Sequence, residues 1–546
     1  MDGRYVLILG AGLMQRPSFE AAKELGFKVL AVDANPNAIC VPFADHFELI
    51  DLKDREKIAE FALLHKENIA GVFTAGTDFS ASVSYVAQKC GFKSHSFEAA
   101  VNASDKIKMR GCFKAMNVSS PEFTQIERSH IASFLKPEIL DSMKFPKVVK
   151  PVDNMGARGC RLIRNKAEFL PSVEDAARNS RSGRAILEDY MEGPEFSIDS
   201  VVYNGTLTIT GFADRHIYYP PYFIEMGHTM PSVFDEEKKL ELIQTFAKGI
   251  AALGLTCGAA KADIKYTAKG PMIGEIAARL SGGYMSGWTY PYASSLNLTK
   301  SLMQIALGLE PKELLDQRIP LDVKDCPFKV YEVPCKNVSA ERAWISIPGK
   351  IHKVYNADSA SCHPFVKNMF FRSRKGNTVS FPRNNVEKCG NVISLAPNHE
   401  LAVEAAEKSV STLVLRLEKN NRATQEFLEG KCHKSEKSFP PDAFALDEGQ
   451  KKTLLDFADK NPVFEKDVSA VSFFPQGIIE NLSSVFDYNH RSLAQTLKLF
   501  DSISPSHARL DTKLFVRALI RGGIQGILYV ADCNAAKKER RGFPFK

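Results

Sequence analysis

The sequence lacks several familiar signatures. Its eleven cysteines form no CxxC pair and no zinc-ligand spacing, which sets aside zinc sites and redox dithiols and points to reduced thiols in a cytosolic protein. There is no GxxxxGK[ST], which excludes a P-loop nucleotide site. No run of about 18 apolar residues stands out as a membrane span. The opening MDGRYVLILGAG enters a strand at once, without a signal-peptide layout. No Ser/His/Asp or Cys/His arrangement marks a covalent nucleophile. Charge of one sign is scarce: the formal net charge is +7 over 546 residues, too weak and dispersed for a nucleic-acid binder. One basic cluster, KKERRGFPFK at the C-terminus, reads as a solvated tail. Repeats and low-complexity tracts are missing too.

What is present is the composition of an ordinary globular chain, 44% apolar and 25% charged. The length predicts roughly three or four domains. The first hundred residues alternate strand and helix. RYVLIL, KVLAVDAN and IAGVFTAGTD read as strands; SFEAAKELG (ending at Gly26), Arg55–His65 and Phe79–Cys90 read as helices. That order predicts a parallel sheet covered on both faces. Gly10 and Gly12 after the first strand, with Asp33 closing the second, invite a dinucleotide reading. Gln15 stands where its third glycine belongs and Pro17 falls at the helix start, so a tight turn explains the glycines better than NAD. Gly10, Gly12, Thr74 and Thr77 also sit where a small substrate would lie, beyond the carboxyl ends of the strands.

The stretch from about Asn102 to Leu309 predicts mostly antiparallel sheet with few helices. From about 310 to 430 the chain closes with GNVISLAPNHELAVEAAEKSVSTLVLRL, a strand, a turn and an amphipathic helix. KCHKSEKSFPPD reads as a linker. The last ~100 residues read as helical, with IIENLSSVFDYNHRSLAQTLKLF the clearest helix.

The chemistry starts at PKVVKPVDNMGARGC. Lys150 ends an apolar strand, where an ammonium needs an anionic partner, and a glycine-bearing loop follows. Further on, Asp263 in KADIKY and Glu275 in MIGEIAA lie on two strands with the Gly270-Pro271 turn between them, so a hairpin sets two carboxylates side by side. Unneutralised, such a pair repels. Magnesium resolves this, because it takes one or two carboxylates and completes its shell with water and phosphate. Two solvent-facing acids on an exposed hairpin is the competing reading. Lys261 shares a strand face with Asp263, Arg279 follows four residues after Glu275, and Gly282-Gly283 come next. Together these point to phosphate transfer. In LEDYMEGPEFS, Glu188 ends an apolar strand and Glu195 follows seven later. The first is placed to accept from an adenine amine and the second from ribose hydroxyls; surface charge is the alternative for both.

SDKIKMR, PKVVKPVDNMGARGC, LEDYMEGPEFS and KADI…GEIAAR, in that order, resemble the ATP-grasp superfamily, which includes biotin carboxylase, D-alanine–D-alanine ligase and the L-amino-acid ligases. The resemblance covers about residues 1–430. It implies a multidomain α/β and α+β fold: a parallel α/β preATP-grasp domain (1–102), an ATP-grasp domain (103–309) and a β-rich domain (310–430). A linker (431–452) and a helical extension of unknown role (453–546) would follow. It implies ATP with Mg2+, or Mn2+ in its place. Lys106 and Lys150 would meet the phosphates. The loop with Gly156, Ala157, Arg158 and Gly159 would fold over them, and Glu188, Tyr190, Met191 and Glu195 would hold the nucleoside. Asp263 and Glu275 match the metal carboxylates, although Ala277 stands where many members carry Asn. Arg279 and Lys261 match the groups that steady the transferred phosphoryl.

YYPPYFIEMGHTMPS looks like the segment of L-amino-acid ligases that brings Glu225 and His228 near the substrate, with Gly282 and Gly283 alongside. A turn histidine bonded to backbone is the other reading of His228. The resemblance implies a cytoplasmic ligase, with no nucleic-acid or membrane partner and a homodimer at family level. It would join a small-molecule carboxylate to an amine through an acyl phosphate. Two rivals stand beside it: a carboxylase acting through carboxyphosphate, and an ATP-binding regulatory or scaffold protein.

Overall fold

A computed structural model describes residues 3–430, 439–504 and 507–541. Its chain divides into two compact units. The first holds residues 1–217, 228–340 and 395–399; the second holds 218–227, 341–394 and 400–546.

In the first unit, β1 (Tyr5–Leu9), β2 (Lys28–Asp33), β3 (His46–Leu49) and β4 (Ile69–Phe73) form a parallel sheet in the order β3-β2-β1-β4. β1 is fully buried, as its unbroken YVLIL run requires of a strand covered on both faces. β3, absent from the sequence reading, is a half-buried edge strand whose HFEL carries two polar groups. Gln15 explains why the glycine turn is not a dinucleotide fingerprint. Its amide donates to Thr74 Oγ1 (3.2 Å) and the Ala75 carbonyl, and accepts from Ala75 N–H at 2.9 Å. It is fully buried, packed against Gly10, which sits at φ 109°. Pro17 begins the helix Arg16–Glu24 rather than interrupting it, because the first turn needs no N–H donor there.

Two antiparallel sheets follow in the same unit. The smaller runs β5 (Phe123–Glu127), β8 (Arg184–Asp189), β6 (Lys147–Pro151), β7 (Arg161–Ile163). In the larger, β9 (Glu195–Tyr203), β10 (Thr206–Tyr218), β12 (Gly258–Thr267) and β13 (Gly270–Ala277) lie in the order β13-β12-β9-β10. β11 is Ile224–Met230. Helices are more prominent than expected: Lys166–Asn179 and Glu236–Leu253 were hidden by their short, charged first turns. Glu236–Leu253 buries Phe246 and Ile250 in a cluster with Phe196 and Ile198 of β9.

In the second unit, Gly390–Ala396 pairs antiparallel with Val366–Phe371, and Gly349–Tyr355 pairs with Val414–Leu417. Residues 431–438 of the expected linker lie outside the described residues. A helix starts at Glu448, still inside the stretch read as linker, where Asp447 and Gln450 form a capping box. The expected helix over IIENLSSVFDYNHRSLAQTLKLF is two, Gln476–Asn481 and Leu493–Ile503, split by a turn. Asp487 makes that turn by accepting the backbone N–H of Asn489 (2.8 Å) and Arg491 (3.0 Å), a competitor to helix that Asp commonly offers.

The helix Thr512–Arg541 bends at Gly523. By length and composition only, its part Thr512–Ala536 passes as long and apolar enough to cross a membrane, a test that a mostly buried core helix also passes; 83% of its most apolar window is buried inside the protein. Two amides tie this C-terminal region to the strands. Asn489 exchanges hydrogen bonds with both backbone groups of Ile345 (3.0 and 3.1 Å). Gln525 accepts from Ile347 N–H at 3.1 Å and donates to the Leu415 carbonyl at 2.9 Å. The side chains of KKERRGFPFK lie outside the described residues.

Candidate active site

Asp105 caps the helix Lys106–Ala115, accepting from the N–H groups of Ile107 (2.9 Å) and Lys108 (3.1 Å) and pairing with Arg184 at 2.6 Å. That cap fixes Lys106 at the first helical position. Lys106 is 7% exposed and reaches the Asn154 carbonyl (3.3 Å) and Glu275 (3.5 Å). Lys150 comes from β6 and pairs with Glu188 on the neighbouring β8 at 2.7 Å. The other Glu188 oxygen receives Arg110 Nε at 2.8 Å. Arg110 and Glu188 are each 1% exposed. Burial opposes charge on Lys150, but the Glu188 carboxylate outweighs it and raises its pKa above the ordinary lysine value. Glu188 in turn is pushed up by burial and drawn down further by Arg110 and Lys150, so it stays ionised. The lysine's anion is thus found inside the fold, and Arg110, whose role the sequence did not disclose, shares it.

The loop after Lys150 keeps three residues at positive φ: Gly156 (69°), Ala157 (59°) and Gly159 (69°). A side chain at Gly159 would meet Asn179 and Pro151. Asn154 anchors the loop by donating to the Asn179 carbonyl at 2.7 Å, and Arg158 Nε donates to the Met155 carbonyl at 3.1 Å.

On the larger sheet, Asp263 and Glu275 are direct cross-strand partners in β12 and β13. The connecting turn is Ala268-Lys269, two residues before the Gly270-Pro271 turn read from sequence, and Gly270 and Pro271 already belong to β13. Lys261, two residues before Asp263, meets it at 2.5 Å, and Arg215 lies 3.2 Å from Asp263 Oδ1. Glu195 pairs with Arg215 and with Lys265 (3.2 Å). Lys265 also donates to the Met191 carbonyl (3.2 Å) and lies over the Tyr190 ring, so Tyr190, Met191 and Glu195 meet around one ammonium. Burial raises the Glu275 carboxyl, but Lys106, Lys261, Arg279 and Lys150 overcome this and hold it at about 2.

Arg279 donates to the Leu280 carbonyl at 2.9 Å while its buried Nε has no partner. Beside it is a residue sequence reasoning missed. Asp199 of β9 is fully buried and accepts from Ser281 N–H (3.1 Å) and Ser281 Oγ (2.5 Å), just before Gly282 and Gly283. Burial lifts its pKa to about 6. A lone Asp inside the apolar run FSIDSVV was the available signal. Glu225 and His228 both lie on β11, where residues three apart face opposite sides. Glu225 N–H donates to Asn385 Oδ1 at 2.8 Å and its carbonyl accepts from Lys388 at 2.6 Å. His228 is 1% exposed.

Seven cations (Lys106, Arg110, Lys150, Arg215, Lys261, Lys265, Arg279) therefore stand among five carboxylates (Glu188, Glu195, Asp199, Asp263, Glu275). That positive excess suits a polyanion. Residues 143–287, which contain the sequence-predicted site except Lys106 and the N-terminal candidates Gly10, Gly12, Thr74 and Thr77, match the family model of the ATP-grasp domain. The chain carries an ATP-grasp domain. Residues 343–418 match L-amino acid ligase C-terminal domain 2. Carnosine synthase 1 of Mus musculus is 24% identical over 338 residues, 57% of this chain and 40% of that protein. The chain thus spans well under half the length of that relative. Alanine–anticapsin ligase of Bacillus subtilis is 26% identical over 353 residues, 58% of this chain and 71% of that one. Among solved structures, the L-amino acid ligase from Bacillus licheniformis superposes with a TM-score of 0.62 at 17% identity, over 76% of this chain and 99% of its own. That likeness is one of fold.

The ATP-grasp domain fits magnesium nucleotide. Asp263 Oδ1 is buried and, beside its ion pair with Arg215 at 3.2 Å, makes no hydrogen bond, and the facing Glu275 is ionised. Among the described residues no group of three or more His, Cys, Asp or Glu stands together as a metal cluster.

Proposed function

We propose that the chain is a ligase that uses Mg-ATP to activate a small-molecule carboxylate and couple it to an amine, with an amino acid as at least one substrate. The observation that carries this reading is the facing pair Asp263 and Glu275, ringed by Lys106, Lys261 and Arg279. Asp263 and Glu275 would hold the metal, which when bound draws charge from phosphate oxygens.

Lys106 and Lys150 receive the phosphates, and the Gly156–Gly159 loop lies over them and excludes water. Glu188 keeps Lys150 charged and aimed; with both oxygens on cations, it acts as an anchor in place of the adenine acceptor read from sequence. The Tyr190–Met191 backbone and Glu195 then border the nucleoside. A carboxylate oxygen of the substrate attacks the γ-phosphorus, the bond to the β-phosphate oxygen breaks, and ADP leaves with that electron pair. Lys261 and Arg279 spread the developing charge; removing one such donor typically costs about 2.7–4 kcal/mol of barrier. The amine nitrogen attacks the acyl phosphate carbon, phosphate departs, and the amine loses a proton. Glu225, Gly282 and Gly283 border the substrates in this reading, and His228, on the other face of β11 and buried, supports the strand from behind. The free thiols among the described residues suit a reducing, cytosolic compartment.

The test is ADP release by the purified chain with Mg-ATP against single amino acids, amino-acid pairs, bicarbonate and simple carboxylates. Release that needs a carboxylate and an amine together, and is lost in Glu275→Gln, is the expected result. Release that needs bicarbonate alone would replace this reading with a carboxylase.

A further inference from the structure

The C-terminal region beyond residue 430 lies outside both matched family domains, which end at 287 and 418. Its contacts within the second unit point to one task. The segment Tyr218–Gly227, which carries Glu225, belongs to this unit although it interrupts the first in sequence. Tyr219 sits at φ 65°, a conformation that is a true outlier for a bulky residue and persists only where the surroundings enforce it.

The enforcing contacts are aromatic. The Tyr219 ring meets Tyr488 edge-on at 6.0 Å and Phe381 at 5.2 Å; Tyr222 packs on Phe439 at 4.7 Å. Phe381 bridges Phe439 (5.4 Å) and Tyr488 (5.0 Å), closing the cluster. Tyr219 OH donates to the Tyr488 carbonyl at 3.4 Å. Tyr488 is itself fixed. Its hydroxyl reaches the Pro441 and Arg521 carbonyls, and it sits in the Asp487 turn that Asn489 ties to Ile345.

We infer that the C-terminal region is a brace for the Glu225 segment, with Tyr488 as a positioning residue that holds Tyr219 and hence Glu225 in place for the substrate. The substrate half of this inference rests on the ligase reading above; the brace itself does not. Edge-on aromatic pairs of this kind are favourable beyond the area they bury, and several of them converge on this one strained residue.

The experiment compares full-length wild type, Tyr488→Ala, Tyr488→Phe and Phe464→Leu. The last loosens a separate cluster with Phe473 and Phe515 in the same region. Amide hydrogen exchange is read at residues 219–227, and KM for each substrate is read beside KM for ATP. Tyr488→Ala is expected to speed exchange at 219–227 at least tenfold and raise KM for one organic substrate at least fivefold, leaving KM for ATP within twofold. Tyr488→Phe should recover most of both, and Phe464→Leu should match wild type. Unchanged exchange at 219–227 in Tyr488→Ala overturns the brace, whether or not the chain is a ligase. Faster exchange with unchanged substrate KM overturns the positioning role. Absence of substrate-dependent ADP release from wild type overturns the ligase reading and leaves the brace to be judged by exchange.

Discussion

Replacing Glu188 by Gln keeps the side chain's shape and removes its charge, leaving Arg110 and Lys150 buried without their common anion. Taking one partner from a buried ion pair costs about 3–5 kcal/mol, a large share of the roughly 5–15 kcal/mol that holds a typical domain folded. Urea unfolding of the full chain, followed by tryptophan fluorescence and circular dichroism, is expected to show that loss. Adding Lys150→Met removes one of the two stranded cations and should return about 1–3 kcal/mol, the penalty of an unsatisfied buried group. Nucleotide affinity should move the other way. The double variant loses a charge-assisted phosphate contact of about 1.5–3 kcal/mol, which is roughly a 10- to 100-fold rise in Kd for Mg-ATP, measured by calorimetry. The double variant is therefore expected to be more stable than Glu188→Gln and no better at binding. If Glu188→Gln unfolds within about 1 kcal/mol of wild type, or if Lys150→Met destabilises it further, the argument that this cluster is held by charge is wrong.

Asp199 makes stability pH-dependent. Its carboxyl is raised from 3.8 to about 6, so the native state binds the extra proton between those values. Its contribution is full below pH 3.8 and lost as pH rises through about 6, a change on the order of 3 kcal/mol. Unfolding of Asp199→Asn across that range should lack this component. Glu275 has the opposite sign: its carboxyl is lowered from 4.5 to about 2, so its contribution is present above pH 4.5 and lost as pH falls towards 2. Gly193 sits at φ 141°, where an added Cβ would press into the Tyr266 carbonyl. Gly193→Ala should cost at least about 2 kcal/mol and weaken Mg-ATP binding through the adjoining Tyr190–Met191 backbone; wild-type stability would refute the tight turn.

The sequence was most readable where function sits on regular, local structure. Asp263 and Glu275 were placed side by side because the hairpin joining their strands is short, but they are direct partners only through a register shift between Asp263 and Ile264, a bulge that the sequence did not disclose, and its turn lies two residues before the one read from sequence. Lys150 was visible because a charge at the end of VVK breaks an apolar pattern. Its partner was harder to assign, since Glu188 and Arg110 lie 78 residues apart and nothing local joins a helix in SDKIKMR to a strand in ILED. Gln15 shows the same limit: its bonds to Thr74 and Ala75 cross about 60 residues, so the sequence revealed only that a glycine was missing. In VFDYNHRS the apolar spacing suggested helix and concealed a turn that Asp487 builds with its own side chain.

The division of the chain between its units also has a consequence in time. Tyr219 and Tyr488, which share a hydrogen bond, are 269 residues apart. At a synthesis rate of roughly 5–20 residues per second, the Tyr218–Gly227 segment leaves the ribosome tens of seconds before Tyr488 exists. Throughout that interval its aromatic side chains have no Tyr488 to pack on. The nascent chain thus carries an aromatic stretch, still without its packing partner, between two parts of the first unit. A ribosome stalled before residue 488 would expose it to chaperones, and fragments cut after residue 340 would carry the same liability permanently.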